Sequence, residues 1–267
     1  MNLRHFIVAR LQSLRQRHAK QSVLGSSAGV PDLSFERWPE SLRDPTRFYI
    51  DCFRYFHSSL PSELQQHRHY FTKKKRGFGE DAFHVMWFLL FRQFRPDNFL
   101  EIGVYRGQVI TLIALLAKLH QTTCDVYGVA PFSSSGDEVS KYPINVDYFK
   151  DTLANFEHFG LPSPSLLKAF STDERALELI SSRVWDMIYI DGNHDYAIAK
   201  KDWELCSKNV RQNGIIVFDD AGTSTSFDPP VFATRGHPGP ARVAAEIDPG
   251  QFKEILQVGH NRVFQRL

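Results

Sequence analysis

The sequence is short of cysteine, of excess charge of either sign and of long apolar runs, and each shortage excludes a class of protein. Its three cysteines, Cys52, Cys124 and Cys206, are odd in number and far apart. They outline neither a disulfide framework nor a zinc spacing, and they fit a reducing cytoplasmic setting. Lys plus Arg number 32 against 30 for Asp plus Glu, a net charge of +2, so the basic excess that favours nucleic acid as a partner is missing. No stretch approaches the ~20 uncharged apolar residues of a membrane span. Val85 to Phe91 comes nearest and is followed by Arg92 and Arg95. The basic N-terminus lacks the apolar core and small-residue cleavage site of a signal peptide. The expectation is a cytoplasmic protein with no transmembrane segment and no nucleic-acid partner.

What is present is globular: 42% hydrophobic and 23% charged residues in a chain of 267. That length suits one core of roughly 150–200 residues with an appendage. Residues 1–24 carry Arg4, Arg10, Arg15, Arg17 and Lys20 without an acid and place Leu3, Phe6, Ile7, Leu11 and Leu14 at helical spacing. Such a helix can lie on an anionic surface, join two copies of the chain as a homo-oligomer contact, or simply pack on its own domain. A Gly/Ser/Pro stretch, Gly25 to Pro31, follows, and Thr46 to Tyr70 reads as helical and aromatic-rich. Lys73-Lys74-Lys75-Arg76-Gly77-Phe78-Gly79 is either a solvated loop or a lid over an anionic ligand, its glycines permitting the backbone change that closure needs.

Beyond Asn98 short apolar runs alternate with amphipathic segments: Phe99 to Ile102, Val126 to Val129, Leu166 to Ala169, Met187 to Ile190 and Ile215 to Phe218. Runs this short, with crossover-length segments between them, predict buried parallel strands in a doubly wound α/β sheet. Phe252 to Val258 and Arg262 to Gln265 flank Gly259-His260-Asn261, a connection too short for a crossover, so this last pair must be antiparallel. The domain reading is a helical extension over residues 1–78, with the possible lid, and an α/β domain over residues 79–267.

Two constellations carry chemistry. Phe99-Leu100-Glu101-Ile102-Gly103-Val104-Tyr105-Arg106-Gly107-Gln108 is a strand running through a glycine turn into a helix, where the backbone can approach a ligand and free N–H groups face it. Tyr105 stands where the dinucleotide fingerprint G-x-G-x-x-G has its middle glycine. In the second, Asp191 ends one strand with His194 three residues later, and Asp219-Asp220 ends the next. The carboxyl ends of such strands line the ligand crevice. Three carboxylates meeting there repel one another unless a cation is present. A hard divalent ion such as Mg²⁺ relieves this; helix capping or pairing with arginine is the alternative.

The order E-I-G-V-x-x-G, Y-I-D-G-N-H-D-Y, V-F-D-D-A-G, then Gly236-His237-Pro238-Gly239-Pro240-Ala241-Arg242 and the Gly259-His260-Asn261 turn resembles the class I S-adenosylmethionine-dependent methyltransferases. Within them it is most similar to the metal-dependent sugar O-methyltransferases related to macrocin O-methyltransferase. The resemblance covers roughly Phe78 to Leu267. It implies a seven-stranded Rossmann-like sheet with a C-terminal antiparallel hairpin, S-adenosylmethionine as cofactor, and a sugar or glycoside hydroxyl as acceptor. It places the methionine moiety at Glu101, Gly103 and Gly107, with Tyr105, Gln108, Ala130 and Ser171 completing the cofactor pocket. Mg²⁺ falls to Asp191, Asp219 and Asp220, and the general base to His194, whose ordinary pKa of ~6.5 suits neutral pH. His237 is a second candidate, while Tyr189 and Trp203 read as packing residues.

One departure stands out. Ala130 occupies the place of the acid that holds the ribose in the family, and Ser133, Ser134, Asp137 and Lys141 are possible substitutes. That departure keeps open a catalytically silent binding protein. A metal-binding nucleotide-sugar or dinucleotide enzyme is the other alternative, disfavoured by the missing glycine fingerprint.

Overall fold

In the computed structural model, which describes residues 3–25, 29–140 and 142–267, alternation along the central strands decides which helices lie on which face. Strands β1 (Asn98–Ile102), β2 (Asp125–Ala130), β3 (Ser165–Lys168), β4 (Trp185–Ile190) and β5 (Val210–Phe218) are parallel. Strands β6 (Phe252–Val258) and β7 (Asn261–Arg266) form an antiparallel hairpin, joined to β5 through β7. The order across the seven-stranded sheet is β3-β2-β1-β4-β5-β7-β6, with the crossover order reversing between β1 and β4.

Successive side chains of a strand point to opposite faces. Phe99, Met187, Tyr189, Ile215 and Val217 join one core with helices α5 (Asp81–Phe94) and α6 (Gln108–Leu119). Their alternates Leu100, Ile102, Ile188, Ile190, Ile216 and Phe218 join a second core with α8 (Glu174–Ser181), α9 (Tyr196–Asn209) and α10 (Pro238–Ala245). Tyr148 and Phe156 of α7 (Tyr148–His158) belong to the first core. Covered on both faces, the strands read as continuous apolar runs in the sequence.

The N-terminal helices are α1 (Leu3–Leu24), α2 (Trp38–Arg43), α3 (Pro45–Ser58) and α4 (Ser62–Thr72). Helix α3 begins where Asp44 accepts the Arg47 N–H and Pro45 fills the first turn, positions where an oxygen acceptor and a missing N–H cost nothing. Trp38, Phe48, Tyr49, Phe53, Phe56 and Leu64 are buried in the same core as α5 and the sheet. Helix α1 is different: Val8, Leu11 and Leu14 are each more than half exposed. It is tethered by Gln16, which donates to the Val231 carbonyl, and by Lys20 over the Phe53 and Phe232 rings. No described helix is long and apolar enough to cross a membrane.

Candidate active site

Two cavities meet at the carboxyl end of the sheet. The first is lined by the turns after β1, β2 and β3, including Gly103, Tyr105, Ala130, Phe132, Ser133 and Ser171. The second, about 550 Å³, runs beneath Gly77, Phe78 and Gly79 and past Phe83, Trp87 and Tyr189 to Asp219, Asp220 and His260. Gly103, Tyr105, Tyr142 and Asp191 line both, so a ligand in each would meet there.

Backbone hydrogen bonds carry the sheet past its last residues and hold these turns level. The Asp191 N–H donates to the Ile102 carbonyl at 2.8 Å, and the Asp219 N–H to Ile190 at 3.0 Å. Gly103 adopts φ +95°, and a Cβ there would stand 1.7 Å from the Asp191 carbonyl oxygen. No other residue permits that approach. The Ala221 N–H donates to the His260 carbonyl at 2.9 Å and the His237 N–H to Asp220 at 2.8 Å, which draws the β6–β7 turn and the start of α10 against the end of β5.

The carboxylates and imidazoles are interleaved. Asp191 is buried, and burial, then the charge and hydrogen bond of Asp219, push its carboxyl well above the usual range. Asp219 is lowered to about 2: burial opposes ionisation, but His260 and the Asp191 hydrogen bond outweigh it. His194 is clamped from both sides, Nδ1 at 2.5 Å from Asp137 Oδ2 and Nε2 at 2.7 Å from Asp220 Oδ2. Burial would lower its pKa, but the two carboxylates raise it to about 9. The ordinary value expected from the sequence is thus corrected: in this state the ring is a cation.

Ligand atoms of Asp219, Asp220 and His260 lie within 4.8 Å of one another, as do those of His194, Asp220 and His237. Asp191 is drawn in through its hydrogen bond to Asp219. The buried Oδ1 of Asp219 receives no aligned hydrogen bond. Adjacent carboxylates with an unsatisfied buried oxygen fit a divalent cation, which the family resemblance implies.

The other expected residues divide between the cavities. Glu101 accepts the Ile110 N–H at 2.8 Å, and burial pushes its carboxyl up to about 8 despite that bond. Gln108 lines the second cavity and accepts the Gly79 N–H, tying down the glycine-flanked segment. Gly107 lines neither; with φ +79° it opens α6 against Thr152. Ala130 and Ser171 line the first cavity. Among the proposed ribose substitutes Asp137 is committed to His194, Ser133 faces the first cavity, and Lys141 lies outside the described residues. Trp203 packs against Phe218, Phe252 and Phe264 as expected. Tyr189 packs edge-on against Trp87 but also lines the second cavity.

Sequence reasoning missed Glu80, Trp87 and His260 as cavity residues. For His260 a signal existed: a β6–β7 hairpin that is antiparallel to β5 through β7 must turn at the carboxyl edge of the sheet, beside Asp219.

Residues 100–221 match a family model described as a methyltransferase domain. An uncharacterised protein of Acanthamoeba polyphaga mimivirus is 26% identical over 186 residues, 67% of this chain and 75% of that one. Among solved structures, an O-methyltransferase from Bacillus cereus in complex with S-adenosylhomocysteine (SAH) aligns at TM-score 0.53 and 16% identity, over 88% of this chain and 100% of that one. An SAH-bound Podospora anserina methyltransferase aligns at 0.55 and 15%, over 90% and 99%. A TDP-rhamnose 3′-O-methyltransferase of calicheamicin biosynthesis aligns at 0.50 and 15%, over 82% and 93%. Residues 100–221 therefore resemble a methyltransferase domain, and the chain has the fold of the O-methyltransferases with which it aligns.

Proposed function

We propose that this protein transfers a methyl group from S-adenosylmethionine to a hydroxyl of a sugar or glycosylated small molecule, with a divalent cation, Mg²⁺ in the first instance, held by Asp191, Asp219 and Asp220. The observation that carries the reading is the junction of the two cavities at Gly103, Tyr105 and Asp191, where a methyl donor in one would face a hydroxyl in the other. Bound there, the cation would lower the pKa of a coordinated hydroxyl and orient two vicinal ones. The aromatic walls Phe83, Trp87 and Tyr189 with polar Glu80, Thr234 and His237 suit a ligand with both apolar faces and hydroxyl edges. The similarity to a TDP-rhamnose methyltransferase supports a sugar acceptor.

The chain's own groups divide the work. His194 directs Nδ1 at Asp137, which leaves Nε2 as the nitrogen turned toward Asp220 and the second cavity. That nitrogen takes the acceptor proton once Asp220 no longer holds it in the charged form. The turn at Gly103, which both cavities share, receives the methionine end of the donor, whereas Glu101, expected beside it, lines only the second cavity. Gln108 and Tyr105 hold residues 75–79 over the acceptor, Tyr105 by donating from its hydroxyl to the Lys75 carbonyl at 3.2 Å.

Two experiments test this. In thermal shift, SAH is expected to stabilise the protein while NAD leaves it unchanged; stabilisation by NAD instead would assign a different cofactor. SAH release with a panel of glycosides is expected to stop in excess chelator and to return with added Mg²⁺. Full turnover in chelator removes the cation from the mechanism.

A further inference from the structure

The β6–β7 turn delivers an imidazole to the carboxylate cluster. His260 is 7% exposed. Its Nδ1 stands 3.1 Å from the Thr234 carbonyl oxygen and 3.0 Å from Thr234 Oγ1. A carbonyl can only accept, so Nδ1 carries a proton, and Nε2 is the nitrogen that a metal ion would take in place of its proton. That Nε2 lies 3.2 Å from Asp219 Oδ1 and 3.8 Å from Asp220 Oδ1. The first is not an aligned hydrogen bond, for the buried Asp219 Oδ1 receives none, and the second is too long for one. The ring is fixed further by Phe83, edge-on at 4.7 Å, and by the Ala221 N–H on its own carbonyl.

An imidazole anchored through one nitrogen on a backbone carbonyl, with the other facing two carboxylates, has the arrangement that metal-ligating histidines adopt. We infer that His260 is an inner-sphere ligand of the cation, placing one nitrogen in an otherwise oxygen-lined site and turning its preference from Mg²⁺ toward a transition ion such as Co²⁺. Mg²⁺ favours oxygen donors and gives up its waters reluctantly, whereas imidazole adds affinity along the first transition row. The inference rests on the cation reading above.

The test uses the full chain stripped by chelator. Calorimetric titration with Mg²⁺ and with Co²⁺ alone is expected to show a preference for Co²⁺ that falls at least tenfold in His260→Gln, with Mg²⁺ affinity changed less than threefold. Pulsed EPR of Mn²⁺-loaded wild type is expected to show a ¹⁴N coupling, which needs no variant to fold. The coupling should vanish in His260→Gln and persist in His237→Gln. Mn²⁺ bound without a ¹⁴N coupling, or with one that survives in His260→Gln, overturns the assignment of His260 and leaves the cation reading standing. Failure of the wild type to bind any of the three ions overturns both.

Discussion

At the scale of single residues, the site's charge is arranged by who faces whom. Asp137 comes from the turn after β2, where the family resemblance led us to look for a ribose ligand, yet its Oδ2 accepts both the backbone N–H and Nδ1 of His194. Its Oδ1 accepts from Val139 and Ser140. Burial would raise this carboxyl, but those hydrogen bonds hold it below the usual range. It is therefore a positioning residue for His194. Asp137→Asn is expected to lower kcat by about 10- to 100-fold, typical of a lost acid–base orientation, with SAH affinity within threefold of wild type. Calorimetry and initial rates check both. A collapse of SAH affinity with kcat preserved would reassign Asp137 to the cofactor. Sequence spacing located His194 and the three carboxylates, because strand ends are legible from apolar runs. It could not show that Asp137 faces His194, since a partner 57 residues away is chosen by the path of a loop.

At the scale of elements, α4 and α5 meet through two buried histidines. His67 Nδ1 and His84 Nε2 are 3.0 Å apart, so one ring donates to the other and both are neutral. Burial lowers both, His84 to about 3. An imidazole whose folded pKa is depressed is neutral in both states above ~6.5, and below that only the unfolded chain takes the proton. Stability is expected to fall by up to about 1.4 kcal/mol per pH unit from His84 alone between roughly pH 6.5 and 3. Denaturant unfolding across that range checks it, and His84→Gln should flatten the slope. The segment after α4 makes a second case. Lys74 and Lys75 adopt positive φ, 56° and 52°, and Arg106, itself paired with Asp151, donates to both their carbonyls. Gln108→Ala removes the tie to Gly79 and should raise the acceptor KM severalfold with little change in SAH affinity. Initial-rate kinetics over an acceptor series checks this; an unchanged KM would leave the segment a bystander. The central strands were legible because the sheet there is covered on both faces. The fastening of residues 74–79 was not, because it is made through backbone groups of Lys74, Lys75 and Gly79, which a sequence does not distinguish.

At the scale of the whole molecule, the sequence reading sets residues 1–78 apart as a helical extension, and residues of α2 to α4 within it share one core with α5 and the sheet. Trp38, Phe48, Tyr49, Phe53 and Phe56 are buried against α5 and the sheet, and Tyr49 donates its hydroxyl to Glu80 at 2.6 Å beside the second cavity. The backbone N–H of Gln257 in β6 donates to Ser41 Oγ in α2, so even the last hairpin leans on the extension. Each large aromatic side chain returned to water costs about 1.5–3 kcal/mol, and several together are comparable with the roughly 5–15 kcal/mol that holds a typical domain folded. In helix α1 the described apolar side chains Val8, Leu11 and Leu14 are exposed among Arg10, Arg15 and Arg17. Removing residues 1–17 is therefore expected to leave the midpoint of thermal unfolding within about 3 °C and to preserve SAH binding. Removing residues 1–78 should abolish the cooperative transition altogether. If light scattering shows the longer chain to be a dimer and the 18–267 chain a monomer, the exposed face of α1 is the contact between copies. If both have the same mass, α1 plays no part in assembly.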